Sequence, residues 1–428
     1  MGTLGTVVGV ILLISFMTFV TFFGRLPALR NTPISALHRA IWVHLPNGLL
    51  ALDQRLTSGK LSRHLVRFGR HMLYDRHPTV VIFFAAILVG GELAYLPTAW
   101  PVMSGLTRLT SSVAVVLPYV FLWLACAADP GYVTGETVDY HMSLYPYDYA
   151  IFHPGRICRT CDLPKPPRSK HCSLCKRCVA RADHHCIFIN GCVGYGNHHW
   201  FVLLLLSTAV LTAYGGLLGM SILSADIRVH HPGWSAWPLS STLSWTRWCA
   251  LFAVAIRAYS GLGAATLLSL LTSPLIWGLL LYTLYLIYLG TTTNESLKWS
   301  DFQEDVRDGY AFSRPLPQHQ RRSVPGDPGW SRWPAQPHHI LVTTTDGRPP
   351  NTLQGQGTIP GEGPWEPIRS LADVENVYDL GFWDNLRDIF IKDYAFGSKM
   401  DVSDAERSHR SNGPWAGERR NRLVAHPP

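Results

Sequence analysis

Charged side chains are scarce in this 428-residue chain: they make up 15% of the residues, whereas apolar side chains make up 47%. A typical soluble domain carries about a quarter charged residues. The deficit argues against an arrangement of two or three ordinary soluble domains. It is the composition expected of a chain in which long stretches contact lipid instead of water.

Two further features are missing. No charged residue precedes the first apolar stretch, so the chain lacks the basic start of a cleaved signal peptide, and we interpret that stretch as a retained membrane anchor. No recognised nucleic-acid-binding module accompanies the formal net charge of +8, which argues against a nucleic-acid partner. The charge is instead explained by membrane topology and attraction to anionic lipid, with a phosphate-bearing substrate as the alternative.

Five apolar stretches are long enough, or nearly so, to cross a bilayer as helices, which takes about 20 residues. They cover residues 4–23, 80–96, 111–128, 200–223 and 266–289. Lys and Arg concentrate after the first and third stretches, so the positive-inside rule predicts a lumenal amino terminus and cytosolic placement of those two segments and of the C-terminal tail. The predicted lumenal loop after the fourth stretch carries tryptophans typical of an interfacial belt: Trp234, Trp237, Trp245 and Trp248.

The predicted fold class is an α-helical integral membrane protein with a four-helix transmembrane core and an extra N-terminal span. A small cytosolic Cys-rich domain lies between spans 3 and 4. The predicted segments are an anchor with a basic loop, spans 2 and 3, the Cys-rich domain, spans 4 and 5, and a cytosolic tail: residues 1–78, 79–128, 129–199, 200–290 and 291–428. Within the tail, residues 312–367 are rich in Pro, Gly, Gln and Arg, which predicts a disordered insertion. Order is expected to resume at residues 376–394, which have an amphipathic pattern.

Seven of the nine cysteines fall within residues 158–192, together with three histidines. An odd number of cysteines beside histidines favours metal ligation over a disulfide framework, and thiolate sites favour the reducing cytosol. Two closed tetrahedral zinc sites use eight of these ten donors. Two donors are then spare, and counting leaves open which two. The alternative at this point is that all ten are structural or idle.

Three adjacent residue types within this segment suit nucleophilic catalysis. Asp183, His184 and Cys186 place a carboxylate, an imidazole and a thiol within four positions. A thiol needs a neighbouring base to become a thiolate near neutral pH, and the imidazole needs a carboxylate to fix its tautomer. The group therefore matches, in residue type, a cysteine nucleophile with its base and an orienting acid.

At these residues the chain resembles the DHHC protein acyltransferases, often called palmitoyltransferases. The resemblance rests on a Cys/His pattern over residues 158–201, an Asp-Pro-Gly motif at 129–131, a Thr-Thr-x-Glu motif at 292–295 and a C-terminal element at 376–381. It implies one zinc ion held by Cys158, Cys161, His171 and Cys178. It implies a second zinc ion held by Cys172, Cys175, His185 and Cys192. Most members have four spans, so the extra N-terminal span is a departure.

The resemblance also implies a reaction. Cys186 would take a fatty acyl group from palmitoyl-CoA, with His184 as base, Asp183 orienting His184 and Thr293 supporting Asp183. A cysteine of a membrane-associated substrate protein would then receive the acyl group. Four basic residues are candidates for the CoA phosphates: Lys165, Arg168, Lys170 and Arg181. The layout is similar to the fungal endoplasmic-reticulum branch, which acylates SNARE proteins. A membrane zinc scaffold without catalysis is the alternative.

Overall fold

The computed structural model describes residues 16–21, 29, 32–350 and 359–396. Most of the predicted first span, residues 4–23, lies outside the described residues, and the part that is described, 16–21, is helical. The chain divides into two compact units, Met1–Arg76 and His77–Pro428.

The first unit is helical throughout most of its described part. Helix α1 spans Pro33–Arg39, a π-helical turn spans Ala40–His44, and helices α2 and α3 span Leu45–Thr57 and Lys60–Tyr74. The turn between α2 and α3 contains Ser58 and Gly59, both with left-handed backbone conformations. A left-handed turn of this kind ends a helix and redirects the chain.

The second unit begins with the membrane helices. Its helices up to residue 288 are α4 Thr79–Ala99, α5 Gly105–Ala127, α6 Val138–Met142, α7 His198–His230, α8 Trp245–Ala258 and α9 Ser260–Tyr288. Among the described residues, four helices are long and apolar enough to cross a bilayer, namely α4 with its 3₁₀ extension, α5, α7 and α9. These four confirm the predicted second to fifth spans. Helix α7 has 33 residues and a length of about 50 Å, so it exceeds the hydrocarbon core of about 30 Å.

Small residues set the packing of the bundle. A Cβ atom on Gly219 of α7 would lie 2.0 Å from the hydroxyl oxygen of Thr266 on α9. A glycine at this position therefore lets the two helices approach closely, as small residues commonly do between membrane helices. At the same end of the bundle, Trp234 and Trp248 stack with ring centroids 4.7 Å apart and pack in one buried cluster with Tyr95. Two of the four belt tryptophans are therefore buried.

The Cys-rich segment consists of three short antiparallel hairpins. Strand β1 (Ile157–Cys158) pairs with β2 (Leu163–Pro164), β3 (Lys170–Cys172) with β4 (Arg177–Val179), and β5 (His184–Cys186) with β6 (Gly191–Val193). Two or three residues per strand cannot form a hydrophobic core by themselves. The hairpins must therefore be held by other interactions.

The tail after the last span is folded over most of its described length. It contains α10 Thr293–Arg307, β7 Ala311–Pro315, α11 Gln318–Arg321, β8 His339–Thr343, β9 Glu366–Pro367 and α12 Phe382–Phe390. Strands β8, β7 and β9 form one antiparallel sheet in that order. Helix α12 lies within residues 376–394, where order was expected to resume.

The prediction of a disordered insertion over residues 312–367 is wrong for the described residues 312–350 and 359–367. Trp333 and Ile340 are buried in one cluster with Tyr145, Tyr378 and Cys158. The indole N–H of Trp333 donates to the carbonyl oxygen of Val377 at 2.9 Å. The Pro- and Gly-rich stretch therefore folds because its few large apolar residues pack on the Cys-rich segment.

Candidate active site

The hairpins bring eight cysteine and histidine residues together as two groups of four. One group contains Cys158, Cys161, His171 and Cys178, and the other contains Cys172, Cys175, His185 and Cys192. Within each group the ligand atoms all lie within 4.8 Å of one another. These are the two sets that the family resemblance implied.

Hairpin β3–β4 contributes to both groups because neighbouring side chains on a strand point to opposite faces. His171 faces its cross-strand partner Cys178 and serves the first group. Cys172, the next residue, points the other way and serves the second group. The hairpin is therefore held between the two groups, and each group ties it to a different neighbouring hairpin.

Both groups fit zinc in donor type and spacing. A tetrahedral zinc ion with ordinary Zn–S and Zn–N bonds separates nitrogen from sulfur by about 3.5 Å and sulfur from sulfur by about 3.8 Å. The Nδ1 atom of His171 lies 3.3–3.8 Å from the three sulfurs of its group. The Nδ1 atom of His185 lies 3.4–3.7 Å from its three sulfurs. Either group can hold a zinc ion.

Strand β5 separates the remaining two donors from the metal groups. His185 is the cross-strand partner of Cys192 and points toward the second group. His184 and Cys186, one position before and after it, lie on the opposite face of the strand by the same alternation. His184 and Cys186 are thus the two spare donors, and they share the face of β5 that is opposite to His185.

Asp183 connects this pair to the end of the last membrane span. Its carboxylate lies 2.6 Å from Nδ1 of His184. It also accepts the backbone N–H of Thr293 at 2.6 Å and the Thr293 hydroxyl at 3.1 Å. Thr293 is the first residue of α10, so the carboxylate lies at a helix N-terminus, where unpaired N–H groups favour negative charge.

These contacts shift the pKa values of His184 and Asp183 in opposite directions. Burial acts to lower the pKa of His184, but its hydrogen bonds with Asp183 and Cys186 outweigh that effect and raise the pKa to about 10. Burial acts to raise the pKa of Asp183, but the hydrogen bond with His184, nearby imidazoles and the Thr293 N–H hold it below its usual range. The imidazole therefore keeps Nδ1 engaged with Asp183, which leaves Nε2 for the thiol.

A buried ion pair that the sequence did not reveal supports this arrangement. Arg168 and Glu295 are almost fully buried, and two guanidinium nitrogens contact the two carboxylate oxygens at 2.7 Å each. Glu295 also completes a capping box with Thr292 at the start of α10. The carbonyl oxygen of Arg168 accepts the N–H of Ala182, next to Asp183. The pair thus fixes α10 to the strand that carries the catalytic candidates.

Two of the four candidate CoA contacts are engaged inside the protein. Arg168 is paired with Glu295, and Arg181 is buried with its Nε atom 3.5 Å from a carboxylate oxygen of Asp388. Their burial argues against contact with a CoA phosphate. Lys170 is exposed and Lys165 is half-buried, so these two are accessible and stay predictions.

Cys186 faces the membrane bundle. It is buried in one apolar cluster with Leu122 of α5, with Phe201 and Leu205 of α7, and with Leu280 of α9. The His184 ring packs edge-on against Phe201 at 5.3 Å between centroids. The thiol is therefore placed where an apolar chain from the bilayer and a polar group from water can meet.

Other motif residues attach the segment to the spans. The side chain of Asn197 donates to the carbonyl oxygens of Ala125 and Cys192 at 3.3 and 2.9 Å. In the C-terminal element, the Asn376 amide donates to the carbonyl oxygen of Leu289 at 2.8 Å, just past the end of α9. Two of these acceptors, the carbonyl groups of Ala125 and Leu289, lie at the C-terminal ends of α5 and α9, where carbonyl groups lack helical partners.

Comparison with known proteins agrees with this geometry. Residues 151–300 match the DHHC palmitoyltransferase family. The palmitoyltransferase SWF1 of Neurospora crassa is 50% identical over 406 residues, covering 92% of this chain and 94% of the relative. The palmitoyltransferase swf1 of Emericella nidulans is 42% identical, covering 93% and 99%. The rat palmitoyltransferase ZDHHC4 is 27% identical, covering 79% and 84%. The chain belongs to the DHHC palmitoyltransferase family.

Proposed function

We propose that this protein is a palmitoyl-CoA:protein-cysteine S-acyltransferase whose nucleophile is Cys186. One observation carries the proposal: strand alternation directs His185 to a metal group and leaves His184 and Cys186 together on the other face, beside an apolar cluster of the membrane helices. A cysteine with an oriented imidazole is the arrangement needed for acyl transfer through a covalent intermediate. Family membership supports the same reaction.

The first half-reaction forms the acyl-enzyme. The Cys186 proton passes to Nε2 of His184, and the sulfur attacks the carbonyl carbon of the acyl-CoA thioester. The carbon–sulfur bond to CoA breaks, and the imidazolium returns its proton to the departing CoA sulfur. Asp183 keeps the ring oriented throughout, and Thr293 keeps Asp183 in place.

The second half-reaction transfers the acyl group. His184 accepts a proton from the substrate thiol, whose sulfur attacks the acyl carbonyl carbon. The bond between the acyl carbon and the Cys186 sulfur breaks, and His184 gives the proton to the Cys186 sulfur. One thioester replaces another in each half-reaction, so the reaction is nearly balanced in free energy. The enzyme therefore accelerates it mainly by positioning the reacting groups. The acyl chain lies against the apolar cluster around Leu122, Phe201 and Leu280, where each buried CH₂ contributes about 0.8 kcal/mol.

The eight clustered donors would hold two zinc ions, which would fix the hairpins, while proton transfer is assigned to His184. With no core of their own, the hairpins depend on this ligation to hold strand β5 in register. Lys165 and Lys170 are the accessible basic residues that we assign to the CoA phosphates.

The topology follows from the same arrangement. The Cys-rich segment and the folded tail share one buried cluster and so lie on one side of the bilayer, which we assign to the cytosol, where CoA thioesters occur. We propose the five predicted segments as the domain organisation, with residues 312–350 and 359–367 of the tail as ordered chain instead of a disordered insertion. By resemblance to the fungal branch, we assign the enzyme to the endoplasmic reticulum and its substrates to proteins with membrane-proximal cysteines, including SNAREs.

The test replaces Cys186 with Ser in the full-length protein and measures acyl label from a palmitoyl-CoA analogue. The label on the wild-type protein is expected to be removed by hydroxylamine, and the Cys186→Ser variant is expected to carry none while zinc content stays at about two ions per chain. Cys126→Ser and Cys249→Ser serve as controls, because neither residue belongs to a metal group, and both should keep the label. A label that persists in Cys186→Ser would assign the nucleophile elsewhere, and absence of label from the wild-type protein would favour the zinc scaffold.

A further inference from the structure

The first unit carries two consecutive helices with exposed apolar faces. On α2, four leucines spaced three or four residues apart are each more than half exposed: Leu45, Leu49, Leu52 and Leu56. On α3, Leu61, Leu65 and Phe68 are 56–61% exposed. Residues with this spacing lie on one side of a helix. Helices of 13 and 15 residues are marginal in water when their apolar faces are not covered.

Helix α3 also carries a separate basic face. Lys60, Arg63, Arg67 and Arg70 recur every three or four residues, and α3 contains no acidic residue. At about 100° per residue, the four cations fall within an arc of about 80°, and its centre lies about 150° from the centre of the Leu61, Leu65 and Phe68 arc. All four cations are exposed. One side of the helix is thus apolar and the other cationic.

The charge of the described part of this unit is strongly one-sided. Residues 32–76 contain seven Lys and Arg residues but only Asp53 and Asp75 as acids. Both acids are engaged locally: Asp53 accepts the N–H of Ser62 at 2.8 Å, and Asp75 lies 3.0 Å from Nδ1 of His71. The cations on α3 are therefore not neutralised by the acids of their own unit.

We infer that α2 and α3 lie in the plane of the membrane interface and bind anionic lipid headgroups, as an attachment separate from the transmembrane helices. The apolar face would enter the acyl-chain boundary while the long basic side chains reach the headgroup layer, as Lys and Arg commonly do at interfaces. We assign a lipid surface as the binding partner of α2 and α3, because an anionic bilayer offers an apolar layer for the leucines and a negatively charged layer for the cations. A protein groove would need acids matched to Lys60, Arg63, Arg67 and Arg70.

The experiment measures amide hydrogen exchange across residues 45–74 of the full-length protein, at one copy per nanodisc. Discs of neutral phosphatidylcholine are compared with discs containing about a third phosphatidylserine, a composition that gives a negative surface potential. Amides of α3 are expected to be protected in anionic discs and to exchange faster in neutral discs. Equal protection in both would overturn the inference, because it would mean that protein contacts hold the helix.

Two variants separate the charge from the apolar face. Each cation near an anionic surface shifts binding about fivefold, so Arg63→Gln, Arg67→Gln and Arg70→Gln combined should lower protection in anionic discs by up to about 100-fold. Leu65→Gln with Phe68→Gln should lower protection in both kinds of disc. Unchanged exchange in either variant contradicts the inference.

A matched control removes the same charge elsewhere. Arg307, Arg322 and Arg348 are exposed and lie in the tail, away from the catalytic candidates. Their combined replacement by Gln should leave exchange in α3 unchanged, and a loss of protection there would show a general charge effect and overturn the assignment to α3. Protection that appears only in discs holding two copies would instead assign the apolar faces to a dimer.

Discussion

The Cys-rich segment and the membrane bundle keep their side chains in place by different interactions. In the Cys-rich segment, two four-ligand groups and buried polar contacts such as Arg168–Glu295 fix strands of two or three residues. In the bundle, long helices pack through small residues such as Gly219 and through stacked aromatics. When one partner of a directional contact is lost, the whole contribution of that contact to stability is lost. A packed surface loses stability in smaller steps when one side chain changes.

The largest expected effect is the loss of a metal group. Structural zinc contributes about 10–16 kcal/mol of apparent binding free energy, and that energy is folding energy for the hairpins. His171→Ala should therefore remove one zinc ion, measured as metal per chain by mass spectrometry, and abolish acylation of Cys186. Cys249→Ala in the bundle is the control and should keep both ions. A His171→Ala protein that retained two ions would mean that the ligand set is wrong.

Breaking the buried ion pair should have the next largest effect. Arg168→Met leaves the Glu295 carboxylate buried without its partner, which typically costs about 3–5 kcal/mol. The measurement is denaturant unfolding of the detergent-solubilised protein, followed by fluorescence. Arg387→Met provides a comparison, because the Arg387 side chain is half-exposed although its partner Asp384 is buried, so its loss should cost less stability than the loss of Arg168.

A double replacement sharpens this prediction. Arg168→Met combined with Glu295→Leu removes both charges, so the double variant should recover stability relative to Arg168→Met alone. Failure to recover would mean that the damage comes from lost shape or lost backbone contacts, such as the one from Arg168 to Gly290, instead of from the unpaired charge.

Loss of the Thr293 hydroxyl should have a smaller effect that is confined to catalysis. Thr293→Ala removes a hydrogen bond to the Asp183 carboxylate but keeps the backbone N–H contact. A hydrogen bond to a charged group contributes about 1.5–3 kcal/mol, so the rate of Cys186 acylation should fall about 10- to 100-fold. Thr293→Ser keeps the hydroxyl and should restore the rate. Zinc content should not change, and a fall in zinc would indicate a structural role instead.

The smallest effect is expected in the bundle. Gly219→Ala adds a methyl group that would meet Thr266, and overpacking of this kind typically costs about 1–3 kcal/mol. Gly278→Ala on α9 is the control, because a Cβ atom there has nothing within 4 Å. Thermal unfolding should rank Gly219→Ala below the wild-type protein and Gly278→Ala level with it or above. Adding Thr266→Ala should relieve part of the loss, and no relief would assign the effect to another neighbour.

Sequence patterns predicted the bundle and the metal-binding chemistry for physical reasons. A membrane helix is encoded locally by length and apolar composition, so all four described spans were predicted in the right place, each with one end within two residues and the other three to seven residues short. The crowding of seven cysteines and three histidines into residues 158–192 pointed to zinc. The division of ten donors into two groups needed the family resemblance, because the pairing of hairpins is a three-dimensional property. The alternation along β5 explains that division once the strand is known.

Burial and tertiary partners were not predictable from the sequence. Arg168 and Arg181 looked like surface cations, since the sequence alone does not reveal that Glu295 and Asp388 lie beside them. The tail was assigned to disorder because Pro and Gly dominate its composition. Trp333 and Ile340 form only a small part of that stretch, and they fold it by packing against aromatic residues far away in the chain.

The two-residue period of strand β5 has a consequence for how the motif can change over time. Neighbouring positions from His184 to Cys186 face opposite sides of the strand, so a single inserted or deleted codon within the motif would exchange the roles of the side chains that follow it. The imidazole of His185 would then lie on the face opposite to the metal group, or the thiol of Cys186 would lie on the face of the metal group. The length of this tetrapeptide is therefore as constrained as the types of its residues.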